Sequence, residues 1–136
     1  MDRRTFLASA ATVIVAGPAL AASGTAYTPG LVDKELAAGK TVFIDFYTDW
    51  CTTCRAQGKA IRALLKENPA YEQAISFVKV DWDVHAQSDL ATRLNIPRRS
   101  TLVVLKGDQE LGRIVAGTSK SSIRDLMDTA LQAATA

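Results

Sequence analysis

The chain has 136 residues, of which 48% are apolar and 22% are charged. This length and composition fit one compact domain and exclude a two-domain enzyme. The formal net charge is only +2 and no basic tract is present, which argues against a nucleic-acid partner. One histidine and two cysteines cannot by themselves complete a four-ligand structural zinc site. The chemistry of the protein therefore depends mainly on Cys51 and Cys54.

Residues 1–21 have the three parts of a bacterial export signal. Arg3 and Arg4 precede an apolar run that continues to Ala16, and a string of small residues follows. The apolar run is about eleven residues long, too short for the ~20 residues that span a bilayer as a helix. The paired arginines resemble those of twin-arginine signals, which direct folded proteins across the inner membrane. The small residues offer an A-x-A cleavage site at 19–21, and the sequence predicts a periplasmic location.

The remaining chain is predicted to contain a polar leader at 22–30 and one α/β domain at 31–136. Apolar periodicity and Gly/Pro punctuation assign its elements. In chain order we expect a short helix from 31 to 37, a strand at 41–47, a helix from 51 to about 66, a helical turn at 70–74, a strand at 76–81, a helix from about 88 to 94, a hairpin of strands at 101–105 and 111–115, and a final helix from about 119.

The strand at 41–47 is a near-continuous run of β-branched and aromatic residues. It lacks the alternation of a half-exposed strand, and such strands are typically buried on both faces of a sheet. The element order β-α-β-α-β-β-α then predicts a mixed β-sheet flanked by helices.

Cys51 and Cys54 lie where the buried strand ends and the next helix begins. Two cysteines three residues apart in a first helical turn are close enough to open and close a disulfide with little backbone movement. Cys51 would lie at the helix N-terminus, where free N–H groups stabilise a thiolate. We therefore expect Cys51 to attack a partner's sulfur, and Cys54, one turn in and more buried, to resolve the mixed disulfide.

The segment 43–55, which reads F-I-D-F-Y-T-D-W-C-T-T-C-R, resembles the active-site segment of the thioredoxin family. The element order extends this resemblance over nearly all of the chain that follows the export signal. The resemblance implies the thioredoxin fold and disulfide exchange with other proteins through Cys51 and Cys54. It also places the family's buried acidic residue on Asp45 and its tryptophan, just before the first cysteine, on Trp50.

Asp45 and Trp50 each have two interpretations. A carboxyl group on a strand buried on both faces should have a raised pKa and could exchange a proton with Cys54. Alternatively, Asp45 is hydrogen-bonded or solvated at a sheet edge. Trp50 belongs either to the apolar rim around the reactive sulfur or to the core.

The sequence departs from the family at three places. Ser100 occupies the position where a cis-proline usually faces the cysteines, and the Arg99–Ser100 bond is expected to be trans because a non-proline cis bond costs ~2.5–4 kcal/mol. The lost proline ring could open the site to a metal or a shared cluster, or the Ser100 hydroxyl could bond near Cys51 or a substrate peptide. The second departure is that two threonines separate the cysteines, without the proline or histidine of better-known members. Without a nearby charged histidine the thiolate has one stabilising group fewer, which argues against a very strong oxidant.

The third departure is the pair Arg98 and Arg99. If Ser100 faces the cysteines, these arginines could lower the pKa of Cys51 or attract an acidic partner, or they could simply be solvated. The lone His85 is predicted to be a surface residue rather than a metal ligand.

These patterns favour a periplasmic thiol–disulfide oxidoreductase, reductase-like or isomerase-like, with no cofactor. Cys51, Cys54 and Asp45 would be catalytic, and Trp50, Arg99 and Ser100 would bind substrate. The predicted partners are exported proteins with cysteines or disulfides, together with a membrane thiol-electron carrier. Two alternatives remain: a metal-binding or metal-delivery module that uses both thiolates, and an inert domain with a structural disulfide, which would stabilise little because its loop is short.

Overall fold

The computed structural model describes residues 24–136. The predicted export signal lies outside these residues. The elements, in chain order, are β1 (Thr25–Ala26), α1 (Leu31–Ala37), β2 (Thr41–Tyr47), α2 (Thr52–Glu67), α3 (Ala70–Ala74), β3 (Ser76–Asp81), α4 (Trp82–His85), α5 (Asp89–Arg93), β4 (Thr101–Lys106), β5 (Gln109–Val115) and α6 (Lys120–Thr135).

The five strands form one mixed sheet in the order β1-β3-β2-β4-β5. Strands β1, β3 and β2 run parallel, whereas β4 pairs antiparallel with both β2 and β5. Strand β2 is therefore central, and its burial pattern agrees with its continuous apolar sequence. The predicted mixed sheet flanked by helices is confirmed.

Two short elements were not predicted. Strand β1 lies inside the segment 22–30 that the sequence assigned to a leader, and Thr25 and Ala26 pair with β3. Helix α4 lies in a segment to which the sequence assigned no element, and the Asp81 side chain caps it by accepting from the backbone N–H of Asp83 at 3.0 Å. Elements of two and four residues are too short to show an apolar period.

The sheet buries a different apolar cluster on each face. Because side chains alternate along a strand, Val42, Ile44 and Phe46 face the layer that contains α1 and α5. Phe43 faces the opposite layer, formed by α2, α3 and α6. Asp45 shares the face of Phe43, so its carboxyl group lies on the side of the sheet that α2 covers.

Helix α2 carries the second cysteine and packs its apolar stripe on this face of the sheet. Its buried positions follow the helical period, and it ends at Glu67, with Asn68 as its C-cap directly before Pro69. Among residues 24–136, no helix combines the length and the apolar character needed to cross a membrane.

Candidate active site

Cys51 is the N-cap of α2 rather than its first residue. Its backbone is extended, with φ −84° and ψ 119°, and its Sγ accepts a hydrogen bond of 3.3 Å from the backbone N–H of Cys54. The sulfur thus takes the place of a capping oxygen and meets the positive end of the helix dipole. This arrangement favours the thiolate form of Cys51 over the thiol.

Both cysteines are free thiols, and both side chains turn toward the same point of the fold. Cys51 exposes 4% of its surface and Cys54 exposes 5%. By exposed fraction the two cysteines are equally covered, so the expectation that Cys54 is the more buried of the two is not met. The Ser100 side chain, which contacts both sulfurs, covers Cys51 as well as Cys54.

Ser100 lies opposite the two thiols, at the start of β4. Every peptide bond among residues 24–136 is trans, as expected for Arg99–Ser100, and Ser100 has a left-handed φ of 63°. Its N–H donates to the Phe46 carbonyl at 2.7 Å, and its carbonyl accepts from the Ala116 N–H at 2.9 Å. These backbone bonds tie Ser100 to the strand that precedes Cys51 and to the end of β5.

The hydroxyl of Ser100 contacts both sulfurs. Its Oγ lies 3.3 Å from Cys51 Sγ and 3.0 Å from Cys54 Sγ. Of the two consequences expected from the lost proline, the structure shows the hydrogen-bonding one.

The thiol groups of the two cysteines have opposite pKa shifts. Burial alone raises the pKa of Cys51, but hydrogen bonds from Cys54 and Ser100, with a smaller contribution from Arg99, lower it from 9.0 to about 6. Burial raises the pKa of Cys54, and its hydrogen bond to Cys51 raises it further. Near neutral pH, Cys51 is therefore the thiolate and Cys54 is the thiol.

Asp45 is buried on the central strand and not solvated at an edge. It exposes 6% of its surface, and its Oδ1 has no hydrogen-bond partner. Burial raises the pKa of Asp45 from 3.8 to about 6, and Lys79, its register partner on β3, opposes only part of this effect. The carboxyl group therefore titrates near neutral pH, as a proton-exchanging group must.

A crevice of about 250 Å³ connects Asp45 with Cys54. Thr48 also lines it, with a buried hydroxyl oxygen that has no partner. The volume is large enough for several water molecules. Water in this crevice would join the Asp45 carboxyl group to the Cys54 thiol.

Trp50 lies at the surface, with 57% of its side chain exposed, and this excludes its placement in the core. Its Nε1 donates to Asp83 at 2.9 Å, and the Arg99 guanidinium stacks over its ring at 4.3 Å. Arg99 is half-buried rather than freely solvated. Trp50 and Arg99 thus form a rim, here called the Trp–Arg rim, beside Cys51.

Gln57 is a site residue that the sequence analysis missed. It is fully buried on α2, and its Nε2 donates to the carbonyls of Ser100 and Gly117, at 2.9 Å each. The available signal was its position one turn after Cys54, on the apolar stripe of α2, where a polar side chain needs a buried partner.

His85 lies away from the thiols and packs edge-on against Tyr27, with ring centroids 4.9 Å apart. In the part of the chain that the structure describes, no three His, Cys, Asp or Glu side chains converge so as to hold a metal ion.

A thiolate and a thiol held at a strand–helix junction, with a titratable carboxyl group behind them, define a dithiol site for thiol–disulfide exchange. Comparisons with known proteins agree with this class. The family model described as Thioredoxin matches residues 26–129. The chain therefore belongs to the thioredoxin family, whose members are thiol–disulfide oxidoreductases.

Individual relatives match about the same part of this chain as the family model does. A thioredoxin of Echinococcus granulosus is 29% identical over 71% of this chain and 83% of its own length. Thioredoxin-2 of Saccharomyces cerevisiae is 32% identical, over 68% of this chain and 83% of its own length. The crystal structure of Trxlp from Edwardsiella tarda superposes with a TM-score of 0.67 at 28% identity, and covers 77% of this chain and 98% of the other. The predicted thioredoxin fold is confirmed.

Proposed function

We propose that this protein is an exported thiol–disulfide oxidoreductase that reduces or isomerises disulfides of exported proteins in the periplasm. The observation that carries the proposal is the position of Cys51 Sγ as the N-cap of α2, hydrogen-bonded by the Cys54 N–H. This position supplies a thiolate near neutral pH, with a second thiol one helical turn away.

In the first step, the Cys51 thiolate attacks one sulfur of a substrate disulfide. A new bond forms between Cys51 Sγ and that sulfur, the substrate S–S bond breaks, and the other substrate sulfur leaves as a thiolate. The leaving thiolate takes up a proton from solvent. The product is a mixed disulfide between the protein and its substrate.

In the second step, Cys54 loses its proton to Asp45 through the crevice that both residues line. The resulting Cys54 thiolate attacks Cys51 Sγ, the mixed disulfide breaks, and the second substrate sulfur leaves with its electron pair. Two electrons have then passed from the dithiol to the substrate. Asp45 gives the proton back when a reductant reopens the Cys51–Cys54 disulfide.

The Trp–Arg rim receives the substrate. Trp50 offers an exposed ring next to Cys51, and Arg99 offers a guanidinium that makes no ion pair within residues 24–136. Because Cys51 exposes only 4% of its surface, a substrate has to displace side chains around the sulfur, of which Arg99 is one. An acidic group beside the substrate disulfide would attract this arginine and favour that movement.

We infer a reducing or isomerising direction, with a membrane thiol-electron carrier that keeps the dithiol reduced. No imidazolium lies near Cys51, because His85 is remote from it, and a strong oxidant needs more stabilisation of the thiolate. Equilibration of the Cys51–Cys54 pair with glutathione tests this inference. A potential in the range of the most oxidising members of this fold would contradict it.

Trapping identifies the substrates and tests the exchange chemistry. Cys54→Ser should accumulate mixed disulfides with exported proteins, because the resolving thiol is missing. Cys51→Ser is the matched control and should trap none and lose insulin reduction. Equal activity of the wild type and Cys51→Ser would overturn the proposed function.

The location is tested with the full-length chain. We expect periplasmic fractionation of the wild type, and retention in the cytoplasm when Arg3 and Arg4 are both replaced by lysine, because twin-arginine recognition needs the pair. A lysine-substituted chain that is still exported would point to the general secretory route. A wild type found only in the cytoplasm would contradict export.

A further inference from the structure

The Ser100 hydroxyl is the one group that contacts both reacting sulfurs among the hydrogen bonds of residues 24–136. It is fully buried, so bulk water does not compete for it. A hydroxyl group has a single proton, and it can donate to one sulfur while it accepts from the other. The two distances, 3.3 Å to Cys51 and 3.0 Å to Cys54, allow either direction.

The backbone holds this hydroxyl group in place. The N–H of Ser100 is bonded to the Phe46 carbonyl, and its carbonyl accepts from both Ala116 and Gln57. Because three hydrogen bonds hold the backbone of Ser100, its hydroxyl proton can turn about the Cβ–Oγ bond without movement of the chain.

We propose that Ser100 is a catalytic residue whose hydroxyl donates its hydrogen bond to whichever sulfur carries the negative charge, first Cys51 and then Cys54. This inference rests on the proposed exchange reaction and adds a group to it. It assigns Ser100 to the chemistry of both thiols rather than to substrate binding alone.

The sulfur that accepts the Ser100 hydrogen bond changes during the reaction. In the reduced protein, the Ser100 hydroxyl and the Cys54 thiol both donate to the Cys51 thiolate. When Cys51 forms the mixed disulfide, its sulfur loses the negative charge and becomes a weak acceptor. Cys54 then loses its proton to Asp45, and the Ser100 hydroxyl turns to donate to the new thiolate. The hydroxyl keeps its own proton throughout.

The second step should therefore depend on Ser100 as strongly as the first. Hydrogen bonds to charged groups contribute about 1.5–3 kcal/mol, so loss of this donor should slow the resolving step about tenfold or more. The attack by Cys51 should slow as well at pH values below the wild-type thiol pKa, because less thiolate is present.

The two steps can be separated with the aromatic disulfide 5,5′-dithiobis(2-nitrobenzoate) in stopped flow. Attack by Cys51 releases the first coloured thiolate at a rate proportional to reagent concentration. Resolution by Cys54 releases the second at a rate independent of it. The variants are Ser100→Gly and Ser100→Ala, since both remove the hydroxyl but affect the backbone oppositely: glycine relieves the strain of a φ of 63°, whereas alanine keeps it.

Thr101→Val is the matched control. It removes a neighbouring buried hydroxyl that donates to the Arg98 carbonyl at 2.8 Å and contacts neither sulfur. We expect Ser100→Gly and Ser100→Ala to slow the second release about tenfold and Thr101→Val to leave it within about twofold of the wild type.

Three outcomes would overturn the role of Ser100: an unchanged second release in both Ser100 variants, a slow release in Ser100→Ala only, or equal slowing in Thr101→Val. The second would indicate backbone strain and the third a general disturbance of the loop. Failure of the proposed function gives a different result, because the wild type itself would then release no second thiolate.

Discussion

Gln57 on α2 donates from its Nε2 to the Ser100 carbonyl at 2.9 Å and thereby joins the helix that carries Cys54 to the loop that faces it. The same nitrogen donates to the Gly117 carbonyl at 2.9 Å. One buried amide therefore fixes two loops relative to α2. The distances between the Ser100 hydroxyl and the two sulfurs depend on this link.

Replacement of Gln57 by leucine should destabilise the protein by about 1–2 kcal/mol. The half-buried Gly117 carbonyl would lose its donor and the Ser100 carbonyl would keep only the Ala116 N–H, and a polar group left without a partner costs ~1–3 kcal/mol. Urea-induced unfolding measures the free energy. Gln73→Leu, at an exposed glutamine of α3, is the control and should change it by less than about 0.5 kcal/mol. Similar small effects for both variants would show that the amide link contributes little.

Asp45 should make the protein less stable as the pH rises from about 4 to 6. A folded pKa of about 6, raised from 3.8, means that the folded state binds this proton more tightly than the unfolded chain. The resulting stability is complete below the unfolded pKa and is lost as the pH rises through the folded one. The shift corresponds to about 3 kcal/mol.

The measurement is the free energy of unfolding between pH 4 and 7, in a background with both cysteines replaced by serine so that no thiol titrates. We expect Asp45→Asn to flatten this profile and to be more stable than its parent at pH 7 by up to about 3 kcal/mol. A variant that keeps the parental slope would show that another group causes it.

Asp45 should also control the resolving step. At pH 7 its carboxylate accepts the Cys54 proton, and below about pH 6 it is already protonated. Asp45→Asn should slow the second phase of the aromatic disulfide reaction about tenfold or more, within the range of general-base contributions. The first phase, which needs only Cys51, should stay within about twofold of the wild type. Equal slowing of both phases would assign Asp45 a structural role instead.

Arg99 should contribute to the acidity of Cys51. Alkylation of Cys51 by iodoacetamide, followed against pH, should have its midpoint near 6 in the wild type. Arg99→Ala removes a half-buried donor beside the sulfur, and we expect a midpoint higher by roughly half a pH unit. Arg98→Ala is the matched control and should leave the midpoint in place, because the Arg98 Nε bonds only the Arg99 carbonyl.

Trp50 should bind protein substrates without a role in the chemistry. Trp50→Ala removes the exposed ring of the Trp–Arg rim, and we expect KM for a protein disulfide to rise about tenfold, equivalent to ~1.4 kcal/mol. The rate with the small aromatic disulfide should change little. Trp50→Phe keeps a ring for Arg99 to stack on, so its KM should be intermediate. An unchanged KM for Trp50→Ala would exclude the rim as the binding surface.

Local patterns account for much of the fold. Strand β2 was predictable because its apolar run is continuous over the whole strand. Helix α2 was predictable because its 3.6-residue apolar period extends over several turns. Strand β1 was not, because two residues in a polar segment carry no period and pair only when β3 is already in place. Helix α4 depends on one capping contact from Asp81, which a loop-like sequence does not reveal.

The candidate site divides in the same way. The sequence alone determined a thiol pair with a spacing of three residues at a strand–helix junction, and an acidic residue on the buried strand before it, because these are contacts within one turn and one strand. The tertiary structure decided that Ser100 reaches both sulfurs, across separations of 49 and 46 residues. It also decided that Gln57 holds Ser100 there. Such contacts arise from strand pairing and helix packing between distant segments, which no local period encodes.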